Sequence, residues 1–281
     1  MSSSLTITNN INTPTTSNSN TTPTRRTASL EAKTQQQLSQ CILTVLSSYH
    51  IFKCISDYTN VFEYCNTCQL LFKYKKYVNY KLNKFYSLMY YDDETFRARI
   101  LNKIDNPRKQ LYINLENHYF ISDVSVLGNV CNLDLHGCKK ITNVSPLSRI
   151  RTLNLSYCIN IINISPLINV HNLNLSFCKN IINYSILGKG TIHTLNLSYT
   201  NVLDEDIKSL GTLNTLILSG CSNITDVSPL INVRILDLSF CKNIIDFTVL
   251  RNGSIHTLDL SYCYVTEEII RLLKNTLHIA L

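Results

Sequence analysis

Eleven cysteines and seven histidines are the residues of this 281-residue chain best suited to chemistry. They are the metal ligands, nucleophiles and disulfide partners of other proteins. Cys65-x-x-Cys68 is half of a zinc pattern, and no second C-x-x-C or H-x-x-x-H completes it. Its spacing suits one face of a helix, so the pair reads as packing. Six further cysteines (Cys138, Cys158, Cys178, Cys221, Cys241, Cys263) fall at one position of a recurring pattern, where Thr200 stands once instead. Side chains in that arrangement line up at strand spacing, roughly 4.8 Å apart, and do not surround a metal. They read as reduced, buried thiols facing backbone at the turn after a strand. His171, His193 and His256 also recur at equivalent positions and are not expected to converge. There is no Gly-rich phosphate loop, H-E-x-x-H or G-x-S-x-G. The expectation is no enzyme, no metal and no cofactor. Arg25-Arg26-Thr-Ala-Ser29 has the look of a basophilic kinase site, but is read as a charged tail. Asn154-Leu-Ser156 and its copies satisfy the glycosylation pattern but fall on strands, and are discounted.

The elements that carry these residues repeat. Ile141-Thr-Asn-Val-Ser-Pro-Leu runs on to Leu153-Asn-Leu155-Ser-Tyr-Cys158, and returns near Ile161 and Ile224. The pairs Leu133/Leu135, Leu153/Leu155, Leu173/Leu175, Leu195/Leu197, Leu216/Leu218, Leu236/Leu238 and Leu258/Leu260 alternate with polar residues. Period two puts the leucines on one side of a short strand. A strand cannot bury that side alone, but stacked strands form a parallel sheet over one core. The period and the L-x-x-L-x-L-x-x-C/N-x-L core are the signature of a leucine-rich repeat. Ser145-Pro146, Ser165-Pro166 and Ser228-Pro229 place a hydroxyl before proline, a helical-turn start with serine as the cap. The short return predicts 3₁₀ or single helical turns on the convex side, with Asp204–Leu210 as the one true helix. The fold class expected is an α/β solenoid preceded by a small all-α region.

Length allows one or two domains. Hydrophobic content of 44% suffices for a core. No apolar run approaches the ~18 residues of a membrane span, and Met1-Ser-Ser-Ser-Leu lacks the features of a secretory signal. The reading is an intracellular, cytoplasmic protein without a membrane partner. The net charge of +7 sits in residues 1–110, with 14 Lys/Arg against 7 Asp/Glu; residues 111–281 balance at 12 against 12.

Residues 1–35 are rich in Ser, Thr and Asn and read as disordered. Residues 36–75 turn apolar. Ile51, Phe52 and Ile55 would end a first helix, Ser56-Asp57-Tyr-Thr-Asn60 would form a turn, and Val61, Phe62, Cys68, Leu71 and Phe72 would lie on a second. This stretch resembles an F-box. The Leu-Pro that usually opens that motif is missing, and Ser47-Ser48-Tyr49-His50 interrupts the first helix. The competing reading is a plain helical cap. Residues 76–110 read as a helical linker and cap. One helix is expected over 71–91, with Leu71, Val78, Leu82, Phe85 and Met89 on one face and Lys73, Lys76, Lys81 and Lys84 opposite. Asp92-Asp93 would cap the next helix, and Pro107 would terminate it. Lysines interleaved with tyrosines there suit RNA or anionic lipid, but equally a solvated face; nucleic acid is set aside. Repeats fill 111–281, closing on a helix over Glu267–Lys274 and a last strand.

The remaining candidate for function is the open face of the sheet. Its middle row is Asn114, Asp134, Asn154, Asn174, Asn196, Ile217, Asp237 and Asp259; beside it run His136, Ser156, Ser176, Ser198, Ser219, Ser239 and Ser261. Ile217, Asp237 and Asp259 break the uniformity and are favoured as contacts. Tyr157, Phe177, Tyr199, Phe240 and Tyr262 offer an aromatic edge as the other contact surface. The Cys-containing repeats followed by Ile-Thr-Asp226 or Ile-Ile-Asp246 resemble those of F-box/leucine-rich-repeat proteins, and the Asn-Ile-Ser-Pro-Leu style is similar to expanded families in large DNA viruses of amoebae. The resemblance implies that Ile51, Phe52, Ile55, Val61, Phe62, Leu71 and Phe72 dock the small adaptor of a cullin ubiquitin ligase, while the repeats hold an unknown substrate protein. A scaffold or regulatory subunit unconnected with ubiquitin is the alternative.

Overall fold

The computed structural model describes residues 80–104, 106–274 and 278–280. The F-box-like stretch, the Ser/Thr/Asn-rich segment and Cys65-x-x-Cys68 lie outside these residues. Ten strands form one sheet in strict chain order: β1 Tyr80–Lys81, β2 Leu111–Asn114, β3 Asn132–Asp134, β4 Thr152–Asn154, β5 Asn172–Asn174, β6 Thr194–Asn196, β7 Thr215–Ile217, β8 Ile235–Asp237, β9 Thr257–Asp259 and β10 His278–Ala280. Every neighbouring pair is parallel. This is a leucine-rich-repeat solenoid.

Register follows from the leucine pattern. Leu133, Leu153, Leu173, Leu195, Leu216, Leu236 and Leu258 are partners in successive strands. A one-residue slip would turn this row to solvent. The second leucine of each pair, Leu135 to Leu260, is equally buried. Behind them lie rows from the return path: Ile141, Ile161, Ile181 and Ile224; Val144, Ile164, Tyr184 and Val227; Leu147, Leu167, Leu187 and Leu230. The core is therefore a set of parallel one-residue columns, each repeat supplying one member per column.

The convex side is made of 3₁₀ turns, as at Ser145–Leu147, Ser165–Leu167 and Ser228–Leu230. The serine hydroxyl is not the cap that its sequence suggests. The oxygen two residues earlier accepts the serine amide: Asn143 for Ser145, Asn163 for Ser165, Asp226 for Ser228. An Asx side chain reaches its own chain two residues on without strain, and a tight 3₁₀ start leaves no room for a helix-type cap. The long repeat does form an α-helix, Asp204–Ile207.

Ahead of the repeats, the expected single helix over 71–91 is not formed. Tyr80–Lys81 is a strand, paired with Leu111 and Tyr112. Helix α1 begins at Lys84, capped by the Asn83 side chain, and ends at Asp92. Sheet pairing at the open side of β2 outweighs the local helical spacing, and Phe85 is left exposed rather than packed. Asp93 caps α2, Glu94–Lys103, by accepting from the Thr95 and Phe96 amides, as its sequence suggests. Pro107 follows the end of α2 and also opens a further short helix, α3, Pro107–Gln110. The helix Glu267–Lys274 is present.

Among the described residues the cysteines are unpaired, and the repeat thiols form the ladder that their spacing implies. Each donates to a leucine carbonyl of the repeat before: Cys158 to Leu135, Cys178 to Leu155, Cys221 to Leu197, Cys241 to Leu218, at 3.1–3.2 Å. Thr200 differs: its hydroxyl donates within its own repeat, 2.7 Å from the Leu197 carbonyl, which also takes the Cys221 thiol. Burial pushes the thiols up, Cys138 to about 11 and Cys178 and Cys241 to about 12. Such raised groups contribute stability that is full below the unfolded value of 9.0 and is lost as pH rises towards the folded values. The midpoint of urea unfolding should therefore hold steady up to about pH 8.5 and fall steadily above it. The same thiols should resist alkylation until the chain unfolds. Rapid native labelling of Cys158 or Cys178 would contradict the ladder.

Candidate functional site

Strands β2 to β9 run into equivalent five-residue turns, and the amides of one can be followed in order. In the repeat of β4, Leu155 N–H donates to the Asn174 carbonyl of the next repeat. Ser156 N–H donates to its own Asn154 side chain. Tyr157 N–H donates to the Ser176 carbonyl of the next repeat, and Cys158 N–H returns to Leu155. All four donors are used, which is why the chain turns without exposing an orphan. The Cys158-to-Leu155 bond with positive φ at the third residue makes a type II turn.

That turn requires a left-handed residue, which is normally Gly or Asn. Gly137 and Gly220 fill it in two repeats, at φ 71° and 69°, and Asn117 in one. Five other repeats place an aromatic there: Tyr157, Phe177, Tyr199, Phe240 and Tyr262, with φ between 56° and 62°. Each costs roughly 1–2 kcal/mol of backbone strain. The rings stack along the edge where the strands end, here the trailing edge. Tyr157 lies 4.1 Å from Phe177, Phe177 4.7 Å from Tyr199, and Phe240 4.4 Å from Tyr262, all nearly parallel. His136 meets Tyr157 edge-on. The Tyr199 ring lies over Gly220, whose added Cβ would sit 2.4 Å from it, so glycine there serves both the turn and the ring. Despite the stacking, Tyr157, Tyr199 and Phe240 remain 37–40% exposed and Tyr262 71%.

The middle row has a different role from the one its polarity suggests. Asn114, Asp134, Asn154, Asn174, Asn196, Asp237 and Asp259 each accept the amide of the residue two places on. Asp237 and Asp259 make this bond as the asparagines do, so they do not depart from the pattern. Ile217 alone departs, having no oxygen to offer. All eight are half-buried on the concave floor. The serines bond within the row, Ser156 to Asn154, Ser198 to Asn196 and Ser239 to Ser219.

Sequence reasoning missed a second amide ladder on the trailing side. The side chains of Asn160, Asn180, Asn201 and Asn243 donate to backbone carbonyls one repeat earlier, at Lys139, Ile159, Lys179 and Ser222. Their signal was an Asn recurring just after the cysteine slot. It also treated the histidines as separate. His171 and His193 in fact stack, 4.9 Å between centres and 11° apart, because Asn172 and Thr194 beside them are register partners. Burial, His193 and Arg151 together hold His171 below the usual imidazole range. Among the described residues no group of three or more His, Cys, Asp or Glu could hold a metal, and no helix is long and apolar enough to cross a membrane.

No known family profile matches the chain, and no curated protein sequence matches it. Solved structures do. An internalin, InlF, from Listeria monocytogenes is 21% identical with a TM-score of 0.44, over 61% of this chain and 62% of its own length. An internalin C2 from the same organism is 20% identical, TM-score 0.45, over 64% and 82%. The functional domain of InlJ from L. monocytogenes, described as including a cysteine ladder, is 20% identical, TM-score 0.36, over 60% and 42%. The match thus spans less than two thirds of the length of InlF and of the InlJ domain.

The strained turn makes a direct test possible. Phe177→Gly relieves the left-handed backbone while losing stacking worth about 0.5–1.5 kcal/mol per pair. Phe177→Val loses the stacking and forces a β-branched residue to stay left-handed. Denaturant unfolding should find the valine variant less stable than the glycine one by at least ~1 kcal/mol. Valine as the milder change would contradict the turn geometry.

Proposed function

We propose that the chain is a non-enzymatic scaffold that binds a partner protein along the trailing edge and the adjoining concave floor. One observation carries this: five aromatic residues stand at positive φ where glycine or asparagine would cost nothing, and four of them, Tyr157, Tyr199, Phe240 and Tyr262, stay exposed. Strain kept at exposed aromatics supports a contact role better than a structural one, because stacking roughly offsets the strain and adds little stability. Aromatic side chains are the usual carriers of protein-binding energy. The half-buried floor residues Asp134, Asn154, Asn174, Asn196, Asp237 and Asp259 then supply the polar margin of the contact, and Ile217 an apolar point within it.

The finer reading is a substrate receptor of a cullin-type ubiquitin ligase. It rests on the resemblance of residues 51–72 to an F-box. Phe52, Ile55, Leu71 and Phe72 would meet the adaptor, and the repeats would hold the substrate. A regulatory subunit unconnected with ubiquitin is the second reading, supported by the departures of residues 47–50 from the F-box pattern.

Affinity purification from the native host followed by mass spectrometry separates them. Adaptor and cullin should co-purify with the wild type and disappear with Phe52→Ala, while thermal unfolding stays within about 2 °C. Tyr199→Ala together with Tyr262→Ala should remove a different protein and spare the adaptor. Absence of adaptor from the wild-type purification would leave the scaffold without ubiquitin. Retention of every partner by the double variant would refute the aromatic edge.

A further inference from the structure

The repeats are neutral in composition, yet the fold keeps their acids off one edge. The edge where the strands begin, the leading edge, is built from the short segments between each convex leucine and the next strand: 128–131, 148–151, 168–171, 188–193, 211–214, 231–234 and 251–256. These segments hold Arg149, Arg151, Lys189, Arg234 and Arg251, with His171, His193 and His256, and contain no Asp or Glu. Arg149, Arg151, Lys189, Arg234 and Arg251 are exposed. Arg108 extends the row in front, its guanidinium on the Asn129 side-chain oxygen. The acids of the repeats lie elsewhere: Asp134, Asp237 and Asp259 on the floor, Glu116 just after β2, Asp123, Asp226 and Asp246 at the 3₁₀ starts, Asp204 to Asp206 in the long repeat, and Glu267 and Glu268 in the last helix.

These cations share one edge, and its segments contain no acid to offset them. Among the described residues the ion pairs are Lys84–Glu116 and Arg271–Glu267, neither on this edge. Where side chains meet here, they are like or neutral: His171 lies against His193 and near Arg151, and the Asn214 amide lies 3.1 Å from His193 Nε2. A line of one sign concentrates positive potential along the solenoid axis. We propose that the leading edge is a second contact surface, independent of what the aromatic edge binds, and that it takes an acidic, extended segment of a protein. From Arg151 to Arg234 is four repeats, roughly 19 Å at strand spacing, about six residues of extended chain. Arginine forks match carboxylates in pairs. A nucleic-acid strand fits less well. Proteins that hold single strands add aromatic platforms to their basic track. The leading-edge segments contain no Phe, Tyr or Trp, and two of their three imidazoles, His171 and His193, stack on each other.

The test is fluorescence anisotropy of the full chain with a short labelled polyglutamate, alongside a labelled oligouridylate of equal charge, at low salt. Polyglutamate should bind the tighter of the two. Arg151→Glu with Arg234→Glu should weaken it at least about tenfold, with unchanged thermal unfolding. Arg151→Gln with Arg234→Gln, which brings no new charge, should weaken it in the same direction. Lys73→Glu with Lys76→Glu, in the basic N-terminal part, should change it less than about twofold. No binding of polyglutamate, wild-type binding by both edge variants, or a larger loss from the Lys73 and Lys76 pair would overturn the proposal. Tighter binding of oligouridylate, lost in the edge variants, would overturn it in favour of nucleic acid.

Discussion

The hydrogen bond from the left-handed residue of one repeat to the next repeat, made from Asn117 through Phe240, is the constraint on which the other features depend. Tyr157, Phe177, Tyr199 and Phe240 donate their amides to Ser176, Ser198, Ser219 and Ser261, at 2.8–2.9 Å. The bond extends the parallel ladder beyond the short strands, past the point where the chain begins to turn. The turn it leads into requires positive φ, and positive φ swings the side chain outward along the trailing edge. The Asx side chain behind it satisfies the one amide that the turn leaves over, and the cysteine after it closes the turn while its thiol reaches back one repeat. The same small set of atoms fixes register, turn and ladder together. The rows of apolar residues then supply the driving force for stacking.

This arrangement assigns the two edges different tasks. At the trailing edge, backbone strain and side-chain display come from the same bond, so the aromatic row cannot rotate away without breaking the ladder. It is preorganised, and a partner would meet rings already in place. At the leading edge the chain arrives from the 3₁₀ turns with side chains that no backbone need dictates. Those positions carry arginine, lysine and histidine, and the floor between the edges is occupied by capping Asn and Asp. Function is therefore better sought at the margins of the sheet than in its middle row.

How much of this was legible in the sequence depended on how local the cause was. Strand positions, register, buried columns and the thiol ladder followed from the spacing of leucine and cysteine alone, since each repeat contacts mainly its neighbours. The Asx caps were misread as serine caps, because Ser-Pro is a strong helical signal and the Asn two residues earlier is a quiet one. Asp237 and Asp259 looked like departures from the asparagine row, but an acceptor oxygen is all that the Ser239 and Ser261 amides require, and Asp and Asn both have it. Positive φ at Tyr157 and its equivalents was invisible, since propensity disfavours it and only the turn between strand and return path explains it. Residues 80–82 were misread as helix because their strand exists only by pairing with residues 111–112, far along the chain. The basic edge was hidden by an even overall charge balance, since composition does not record which edge a residue occupies.

Amide hydrogen exchange resolved to single residues tests the central claim most directly. If the left-handed residues carry the ladder onward, the amides of Tyr157, Phe177, Tyr199 and Phe240 should exchange within about tenfold of the rates of Leu155, Leu175, Leu197 and Leu238, inside the same cooperative unit. Exchange of the aromatic amides at the rate of an open loop, while those leucine amides stay protected, would contradict the account.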